Sequence, residues 1–343
     1  MTKKIFSYFS ILSLIITGCT IKENSTISYQ LDLPAHFSNP IIPTNNPLTK
    51  EAIALGEKLF FDPILSRDSS IACVNCHHPQ LAFSDSVAIS PGVDGRLGFR
   101  NAPTLMNLAW LDLINKDGGI SKLDLQAMTP IEDHAEMDLS VLKVAKRLND
   151  QPAYVTLSNQ AYQRPLDAFV ITRALASYLR TLISFNSPYD QYVLGDTAAL
   201  SLSAIRGKAL FFSKKVNCSQ CHSGFNFTNN GFENNGLYNV YKDNGRQRVT
   251  LLPEDESKFR VPTLRNIALT APYMHDGSVE NMEAVIAHYD TGGKNHPNKS
   301  AILEPLHLST AEKRDLIAFL ESLTDVKYVQ PLVELPSIEN VDK

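Results

Sequence analysis

The stretch Cys73-Val74-Asn75-Cys76-His77 occurs a second time in the chain as Cys218-Ser219-Gln220-Cys221-His222. Two thiols at i and i+3, followed at once by an imidazole, suit thioether attachment of a haem whose iron is ligated by the histidine. A redox disulfide or a zinc site is the competing interpretation of such a cysteine pair, but neither gives the following histidine a role. The repeat therefore predicts two covalently bound c-type haems, attached through Cys73, Cys76, Cys218 and Cys221 and ligated by His77 and His222.

A second imidazole, His78, directly follows His77. The register of the motif favours His77 as the iron ligand and leaves His78 as a surface residue.

The length and the net charge of the chain limit its number of domains and the classes of partner it can bind. A chain of 343 residues is long enough for two domains of ordinary size. Its formal charge of −4 gives no basic surface for a nucleic acid. A basic partner protein could still be attracted electrostatically.

The amino terminus is typical of a processing signal. Lys3 and Lys4 form a charged region, residues 5–16 form an apolar region too short to span a membrane as an ordinary helix, and small residues precede Cys19. This pattern predicts a lipoprotein signal peptide over residues 1–18, with Cys19 as the lipidated first residue of the mature chain. An ordinary cleaved signal with a chance cysteine is the alternative.

Export agrees with the haem motifs, because c-type haem is attached outside the cytoplasm. We therefore expect an exported protein on the periplasmic side, anchored to a membrane through lipid on Cys19. Residues 19–46 are polar with scattered Pro and Asn and predict a tether. Residues 330–343 form a tail.

An internal repeat accompanies the two haem motifs. Residues 56–61 and 207–212 share the pattern G-x-x-L-F-F, and each precedes its haem motif by a short loop. Apolar residues with helical spacing surround the first copy, and another amphipathic helix ends before Pro188. Ser309 and Glu312 form a capping box that opens a further helix. Few segments alternate with period two, so the predicted fold is mostly α, with two cytochrome c-like haem domains in tandem over residues 47–187 and 188–329 and long loops.

The motifs together resemble those of the bacterial di-haem cytochrome c peroxidase and MauG-like family, from about residue 47 to about residue 325. Besides the haem motifs, the resemblance rests on residues 100–104 (RNAPT), 126–131 (QAMTPI) with Glu136-Met137, 260–266 (RVPTLRN) and 271–277 (APYMHDG). In that family the amino-terminal haem reacts with peroxide and the carboxy-terminal haem passes electrons. The resemblance implies the first role for the haem of His77 and the second for that of His222.

Peroxide cleavage needs a group that moves a proton from one oxygen to the other on the open face of the iron. The resemblance implies Glu136 for this catalytic role, with Gln126 and Pro130 as its neighbours. His134 is the next candidate, and a solvated acidic turn is the alternative interpretation of the charges around Glu136.

The resemblance also bears on the state of the first iron. Some family members carry a histidine that blocks the peroxide site until the partner haem is reduced, whereas residues 79–104 here contain none. We therefore expect a first haem that is five-coordinate or weakly bound by water.

For the second haem, the family position of the sixth iron ligand falls on Tyr289, with Met274 as the alternative. An anionic tyrosinate would stabilise ferric and higher states, whereas a thioether would raise the reduction potential. A buried tyrosine that only hydrogen-bonds to its neighbours is the remaining interpretation of Tyr289.

The resemblance further implies a Ca²⁺ ion between the haems, held by the Asn101 side chain and the carbonyl oxygens of Thr270 and Pro272. One departure concerns the route between the haems. Where the family usually has a tryptophan, this chain has Lys116, and its single tryptophan, Trp110, lies six residues earlier and is expected to pack in the core.

These residues predict a peroxidase that reduces hydrogen peroxide to water with electrons from a small redox protein of the cytochrome c or cupredoxin type. A MauG-like oxidase, which uses peroxide to oxidise a partner protein side chain, is the second possibility. An electron-transfer cytochrome is the third. Family members are often homodimers, which leaves a homodimer open here.

Overall fold

The computed structural model describes residues 26–325. The predicted signal peptide, Cys19 and the tail after residue 329 lie outside the described residues. Between residues 26 and 325 no helix is long and apolar enough to cross a membrane.

The described chain is mostly helical, which confirms the predicted fold class, and long loops and 3₁₀ turns join the helices. The helices of the first half are α1 (Lys50–Phe61), α2 (Leu123–Gln126), α3 (Met128–Glu132), α4 (Val141–Asn149), α5 (Pro152–Tyr162) and α6 (Ala168–Leu179). Those of the second half are α7 (Pro188–Val193), α8 (Leu202–Phe211), α9 (Cys218–Cys221), α10 (Gln247–Thr250), α11 (Met282–Asp290) and α12 (Thr310–Glu321). Two short strands, β1 (Phe232–Glu233) and β2 (Phe259–Arg260), pair antiparallel in the second half.

The same helix crossing is built twice. In the first half α1 packs on α6, and in the second half α8 packs on α12. A Cβ atom on Gly56 would lie 1.9 Å from the carbonyl oxygen of Ala174, and one on Gly207 would lie 1.8 Å from that of Asp315. Both crossings therefore need a glycine, which explains why this residue recurs in the G-x-x-L-F-F repeat.

Each half has its own apolar core beside its haem motif. The first core includes Leu55, Leu59, Phe60, Ile171 and Leu175 from α1 and α6, and Cys73 packs against it. The second core includes Phe211, Phe227, Leu316, Phe319 and Leu323, and Cys218 packs against it. The capping box predicted for Ser309 and Glu312 is confirmed at the start of α12.

A loop of the first domain is fastened to the small sheet of the second. Residues 114–120 form a tight loop closed by a bridge between Ile114 and Ile120. The main-chain N–H of Arg260 in β2 donates to the carbonyl oxygen of Lys116 at 2.7 Å. A Cβ atom on Gly118, whose φ is +70°, would lie 2.4 Å from the Phe232 ring, so a glycine is required for this close approach.

Residues 26–46 correct one expectation, because they lie on the body of the protein instead of forming a tether. Phe37 is 7% exposed and packs edge-on against Trp110 of the first domain and at a tilt against Phe225 of the second. Asn46 is buried and donates to the Asp124 carboxylate. The sequence did not predict this packing, because it depends on single buried residues in a polar stretch and not on a periodic apolar pattern.

Candidate haem sites

The first candidate site lies around the turn that carries Cys73, Cys76 and His77. The main-chain N–H groups of Cys76 and His77 both donate to the Cys73 carbonyl oxygen, at 3.2 and 3.0 Å, which turns the two thiols and the imidazole toward one region. All four cysteines of the described chain are free thiols. A disulfide is therefore not the role of either pair in this structure.

His77 is held in one tautomer by the main chain. Its Nδ1 lies 2.9 Å from the Phe83 carbonyl oxygen, which can only accept, so Nδ1 carries the proton and Nε2 keeps a lone pair. Burial lowers the pKa of His77, which favours this neutral form. A neutral imidazole with a fixed Nδ1–H is the usual state of a metal-ligating histidine.

The main chain also fixes Glu136 near this turn. The N–H of Met137 donates to the Pro130 carbonyl oxygen at 3.1 Å, and the Glu136 carbonyl accepts from Val93 at 2.8 Å. Gln126 ends α2 just before the helix that contains Pro130, but within residues 26–325 its side chain makes no hydrogen bond to Glu136.

Glu136 is exposed to solvent in the described chain. Desolvation, together with the charge of Asp133, raises the pKa of Glu136 to about 7. Burial raises the pKa of the Cys73 thiol to about 12, and the Glu136 charge adds to this rise. Glu136 therefore has a raised pKa and lies within electrostatic reach of the first haem motif.

His134, the other candidate for this role, points away from the site. Its side chain is 79% exposed and lies against Arg96 and Asp138 on the surface. His78 is partly exposed beside Asp85, at 3.6 Å, which agrees with the surface position expected for it.

Residues 91–97, in the loop without histidine, lie directly on the Glu136 segment. A Cβ atom on Gly92 would lie 2.2 Å from the Ala135 carbonyl oxygen, and Asp94, with φ of +60°, turns the chain. The Gly92 segment thus packs closely against the main chain of Ala135 and Glu136.

The second candidate site is a cavity of about 290 Å³ in the second domain. Its lining includes Cys218, Cys221 and His222. The Nδ1 of His222 lies 3.1 Å from the Phe227 carbonyl oxygen and 3.2 Å from that of Pro262, so this ring too keeps Nε2 for a ligand. Burial lowers the pKa of His222, as it does for His77.

Both sequence candidates for the sixth ligand line the same cavity. Tyr289 projects from α11, and Met274 lies in a loop with φ of +76°. Burial raises the pKa of Tyr289 to about 12, against a lowering by its hydrogen bond with Asn235. The Nδ2 of Asn235 also donates to the Met274 sulfur at 3.1 Å, so this asparagine contacts both candidates. Sequence reasoning missed Asn235, which stands in no recognisable motif.

The three positions proposed for calcium also line this cavity. Asn101 is buried, and its Nδ2 donates to the carbonyl oxygens of Val87 and Ala88, both at 3.2 Å. The amide oxygen of Asn101 is thereby turned away from these two carbonyls. Thr270 and Pro272 lie on the wall of the same cavity as Asn101.

Lys116 and Trp110 occupy different places. Lys116 lines the cavity of the second domain, although it belongs to the first. Trp110 packs with Phe37 and Phe225 at the seam between the domains, and its Nε1 donates to the Ser38 carbonyl oxygen at 2.8 Å. Trp110 is half-buried there and is not part of the cavity wall.

The residues fit two haems bound through thioethers. Each site combines two free thiols at i and i+3 with a neutral imidazole whose Nε2 is left for iron. Two such domains in tandem define a di-haem c-type cytochrome.

Comparison with known proteins identifies a family within this class. Residues 50–198 match the family described as di-haem cytochrome c peroxidase, and residues 204–324 match cytochrome c. The methylamine utilization protein MauG of Methylorubrum extorquens is 40% identical over 314 residues, which cover 89% of this chain and 88% of that protein. The cytochrome c551 peroxidase of Pseudomonas aeruginosa is 33% identical over 300 residues, covering 84% and 82%.

A solved structure agrees with these sequences. A MauG-like protein associated with microbial copper homeostasis superposes with a TM-score of 0.84 at 32% identity, covering 88% of this chain and 97% of the other. The chain belongs to the di-haem cytochrome c peroxidase family. Relatives carry both the peroxidase and the MauG names, so the family defines the cofactors more closely than the reaction.

Proposed function

We propose that this protein reduces hydrogen peroxide to water at the first haem, using two electrons and two protons per peroxide. The observation that supports the proposal is the place of Glu136: the Val93 N–H donates to its carbonyl oxygen at 2.8 Å, its charge acts on both thiols of the first haem motif, and its pKa is raised to about 7. A group that titrates near neutrality can both accept and return a proton at physiological pH.

The haems, when bound, supply the redox chemistry, and the chain supplies the proton path and the axial ligands. The Glu136 carboxylate takes the proton from one peroxide oxygen and delivers it to the other. The carbonyl groups of Phe83 and Phe227 orient the two histidines. Main-chain hydrogen bonds from Met137 to Pro130 and from Val93 to Glu136 fix the backbone that carries the Glu136 carboxylate.

The electrons come, in this proposal, from a small redox protein of the cytochrome c or cupredoxin type through the second haem. Tyr289 would supply the sixth ligand of that haem, with Met274 as the other candidate. Asn101, Thr270 and Pro272 hold a Ca²⁺ ion between the haems. The chain is exported to the periplasmic side, where lipid on Cys19 attaches it to a membrane.

A second candidate function is a MauG-like oxidase that uses peroxide to oxidise a side chain of a partner protein. Two observations favour it: Tyr289 lies on the wall of the second cavity, and residues 79–104 contain no histidine. Lys116 weighs against it, because an aliphatic ammonium cannot replace an aromatic ring as a redox relay.

Peroxide turnover by Glu136→Gln separates the enzymatic functions from simple electron transfer. We expect a loss of about 100-fold or more in turnover, the usual size of an acid–base contribution, with both haems retained. Glu254→Gln is the matched control, because Glu254 is exposed in the second domain, in the turn Pro253–Asp255. Equal turnover in the two variants contradicts the role of Glu136.

Oxidation of a protein side chain is tested with the same preparation. The protein is incubated with peroxide and candidate partners, and partner oxidation is followed by mass spectrometry in the presence and absence of a reduced cytochrome c. Peroxide consumption that depends on the donor supports the peroxidase, whereas donor-independent modification of a partner supports the oxidase.

A further inference from the structure

Two cationic side chains line the second cavity. Lys116 comes from the first domain and Arg260 from strand β2 of the second, and both stand on the wall that also carries Cys218, Cys221 and His222. The hydrogen bond between the Arg260 N–H and the Lys116 carbonyl oxygen holds the two residues side by side. Two positive charges are thus built into one region of the cavity.

Neither cation has an anionic partner among residues 26–325. No carboxylate oxygen lies within 4.0 Å of the Lys116 Nζ or of the Arg260 guanidinium nitrogens. The Asp117 and Asp243 carboxylates pair with Arg100, whereas Asp276, whose charge acts on Lys116 from beyond 4.0 Å, accepts from the Tyr238 hydroxyl at 2.7 Å. Glu233 also lines the cavity, but it too lies beyond 4.0 Å from both.

Unpaired cations at such a place are costly. Charged side chains that lose their contact with water are almost always paired, because desolvation otherwise penalises the charged form. Burial and the charges of Arg260 and Arg100, against an opposing contribution from Asp276, together lower the pKa of Lys116 to about 7. Burial likewise lowers the pKa of Arg260 to about 10. The pair is therefore arranged for a ligand that brings negative charge into the cavity.

The other groups on the wall indicate which ligand that is. Cys218, Cys221 and His222 are the attachment points of a haem, and a haem carries two propionate carboxylates. His275 also lines the cavity, but burial lowers its pKa to about 4, so it is neutral and adds no competing charge. The charge of the two cations matches that of the two propionates.

We propose that Lys116 and Arg260 form a propionate clamp for the second haem, with Lys116 reaching into the site from the first domain. Lys116 is a positioning residue, which acts on the haem through the propionate carboxylates. It supplies a positive charge where the family usually has a tryptophan. A positive charge near the iron favours the reduced state, so Lys116 raises the reduction potential of the second haem. The clamp also makes that potential depend on how the two domains are docked.

The inference does not depend on the reaction with peroxide. It concerns only the binding and the potential of the second haem, and holds equally for a peroxidase, an oxidase or an electron carrier. Failure of the peroxide assay with Glu136→Gln leaves it untouched, and its own failure leaves the proposed function standing.

The test is a potentiometric titration of the full-length di-haem protein, followed by haem absorbance. Lys116→Met removes the charge and Lys116→Arg keeps it, while the main-chain bond to Arg260 is unaffected. We expect a lower midpoint potential for the second haem in Lys116→Met and a value near the wild type in Lys116→Arg. Lys122→Met, which removes an exposed charge from the same domain, is the control and leaves the potential unchanged.

Haem content, measured as the pyridine haemochrome, completes the test. Lys116→Gln provides a second neutral variant where Lys116→Met does not fold with two haems. Loss of the second haem from the neutral variants alone also supports the clamp. An unchanged potential in Lys116→Met, a shift in Lys116→Arg as large as that in Lys116→Met, or loss of the haem from all three variants contradicts it.

Discussion

Arg100 of the first domain holds the Asp243 carboxylate of the second through two hydrogen bonds, from Nε to Oδ2 at 2.6 Å and from Nη2 to Oδ1 at 3.0 Å. Its Nη1 also donates to Asp117 at 2.7 Å. Burial works to raise the pKa of Asp243, but the Arg100 guanidinium outweighs it and holds that pKa below its ordinary value. One guanidinium thus connects the domains and the loop that presents Lys116.

Arg100→Met should weaken this connection strongly. It leaves the buried Asp243 carboxylate without its guanidinium partner and Asp117 with only the more distant Arg248, and breaking such a buried pair costs about 3 kcal/mol of unfolding free energy. Urea unfolding followed by circular dichroism measures the change. Arg248→Met is the control, because Arg248 is 50% exposed and lies 3.7 Å from Asp117, so we expect a loss below about 1 kcal/mol. Similar losses in both variants contradict the central role of Arg100.

The rate of peroxide turnover should depend on the ionisation of Glu136. The carboxylate is the form that accepts the peroxide proton, and its pKa is raised to about 7. We therefore expect turnover to rise with pH through about 7 and this limb to disappear in Glu136→Gln. Initial rates between pH 5 and 9 measure it. If the rise of turnover with pH persists in Glu136→Gln, the ionising group is not Glu136.

The ionised Glu136 carboxylate should lower the free energy of unfolding at high pH. A carboxyl whose pKa is higher in the folded than in the unfolded state costs nothing below the unfolded pKa near 4.5, and its full cost is present above about 7. Glu136→Gln should therefore be more stable than the wild type at pH 8, with a smaller difference at pH 5. Urea unfolding at the two pH values tests the sign, and a larger gain at pH 5 refutes it.

An open first haem should be visible in the oxidised protein. Because residues 79–104 contain no histidine, we expect a high-spin ferric signal beside a low-spin one in low-temperature electron paramagnetic resonance. Both should be lost on adding one equivalent of peroxide without prior reduction. Two low-spin signals that do not respond to peroxide would mean that some group caps the first iron.

Substitution distinguishes the two candidate ligands of the second iron. Tyr289→Phe removes the phenol oxygen and should change the low-spin signal, whereas Met274→Leu should leave it as in the wild type. The same spectra, recorded on both variants, give the answer directly. A low-spin signal that changes only in Met274→Leu assigns the ligand to Met274.

Residues with a fixed spacing were predictable from the sequence. The haem motifs specify their own thiols and imidazoles, and the repeated glycines mark two identical helix crossings that leave no room for a Cβ atom. Glu136 could be singled out only together with the motif around it, because an acidic residue in an acidic segment carries no signal of its own.

Other features depend on contacts between distant segments. Lys116 could be identified as a departure from the family, but its place in the cavity of the other domain follows from the bond to Arg260. Arg260 stood in a recognisable motif without any sign that, among residues 26–325, its side chain has no anionic partner and donates to the Asn115 carbonyl oxygen at 3.4 Å. Phe37 is a single aromatic residue in a polar segment, and only the fold brings Trp110 and Phe225 around it.

The packing of residues 26–46 has a consequence for how far the protein can stand from a bilayer. The N–H of Ile27 donates to Glu51 of α1 at 3.0 Å, so the body begins there. A lipid on Cys19 is separated from this point by a chain that spans at most about 30 Å. A free segment up to Asn46 would have reached about 95 Å. If Cys19 carries lipid, as proposed, the body stays within a thin layer above the lipid headgroups, and an electron donor would have to approach it from the side or from above.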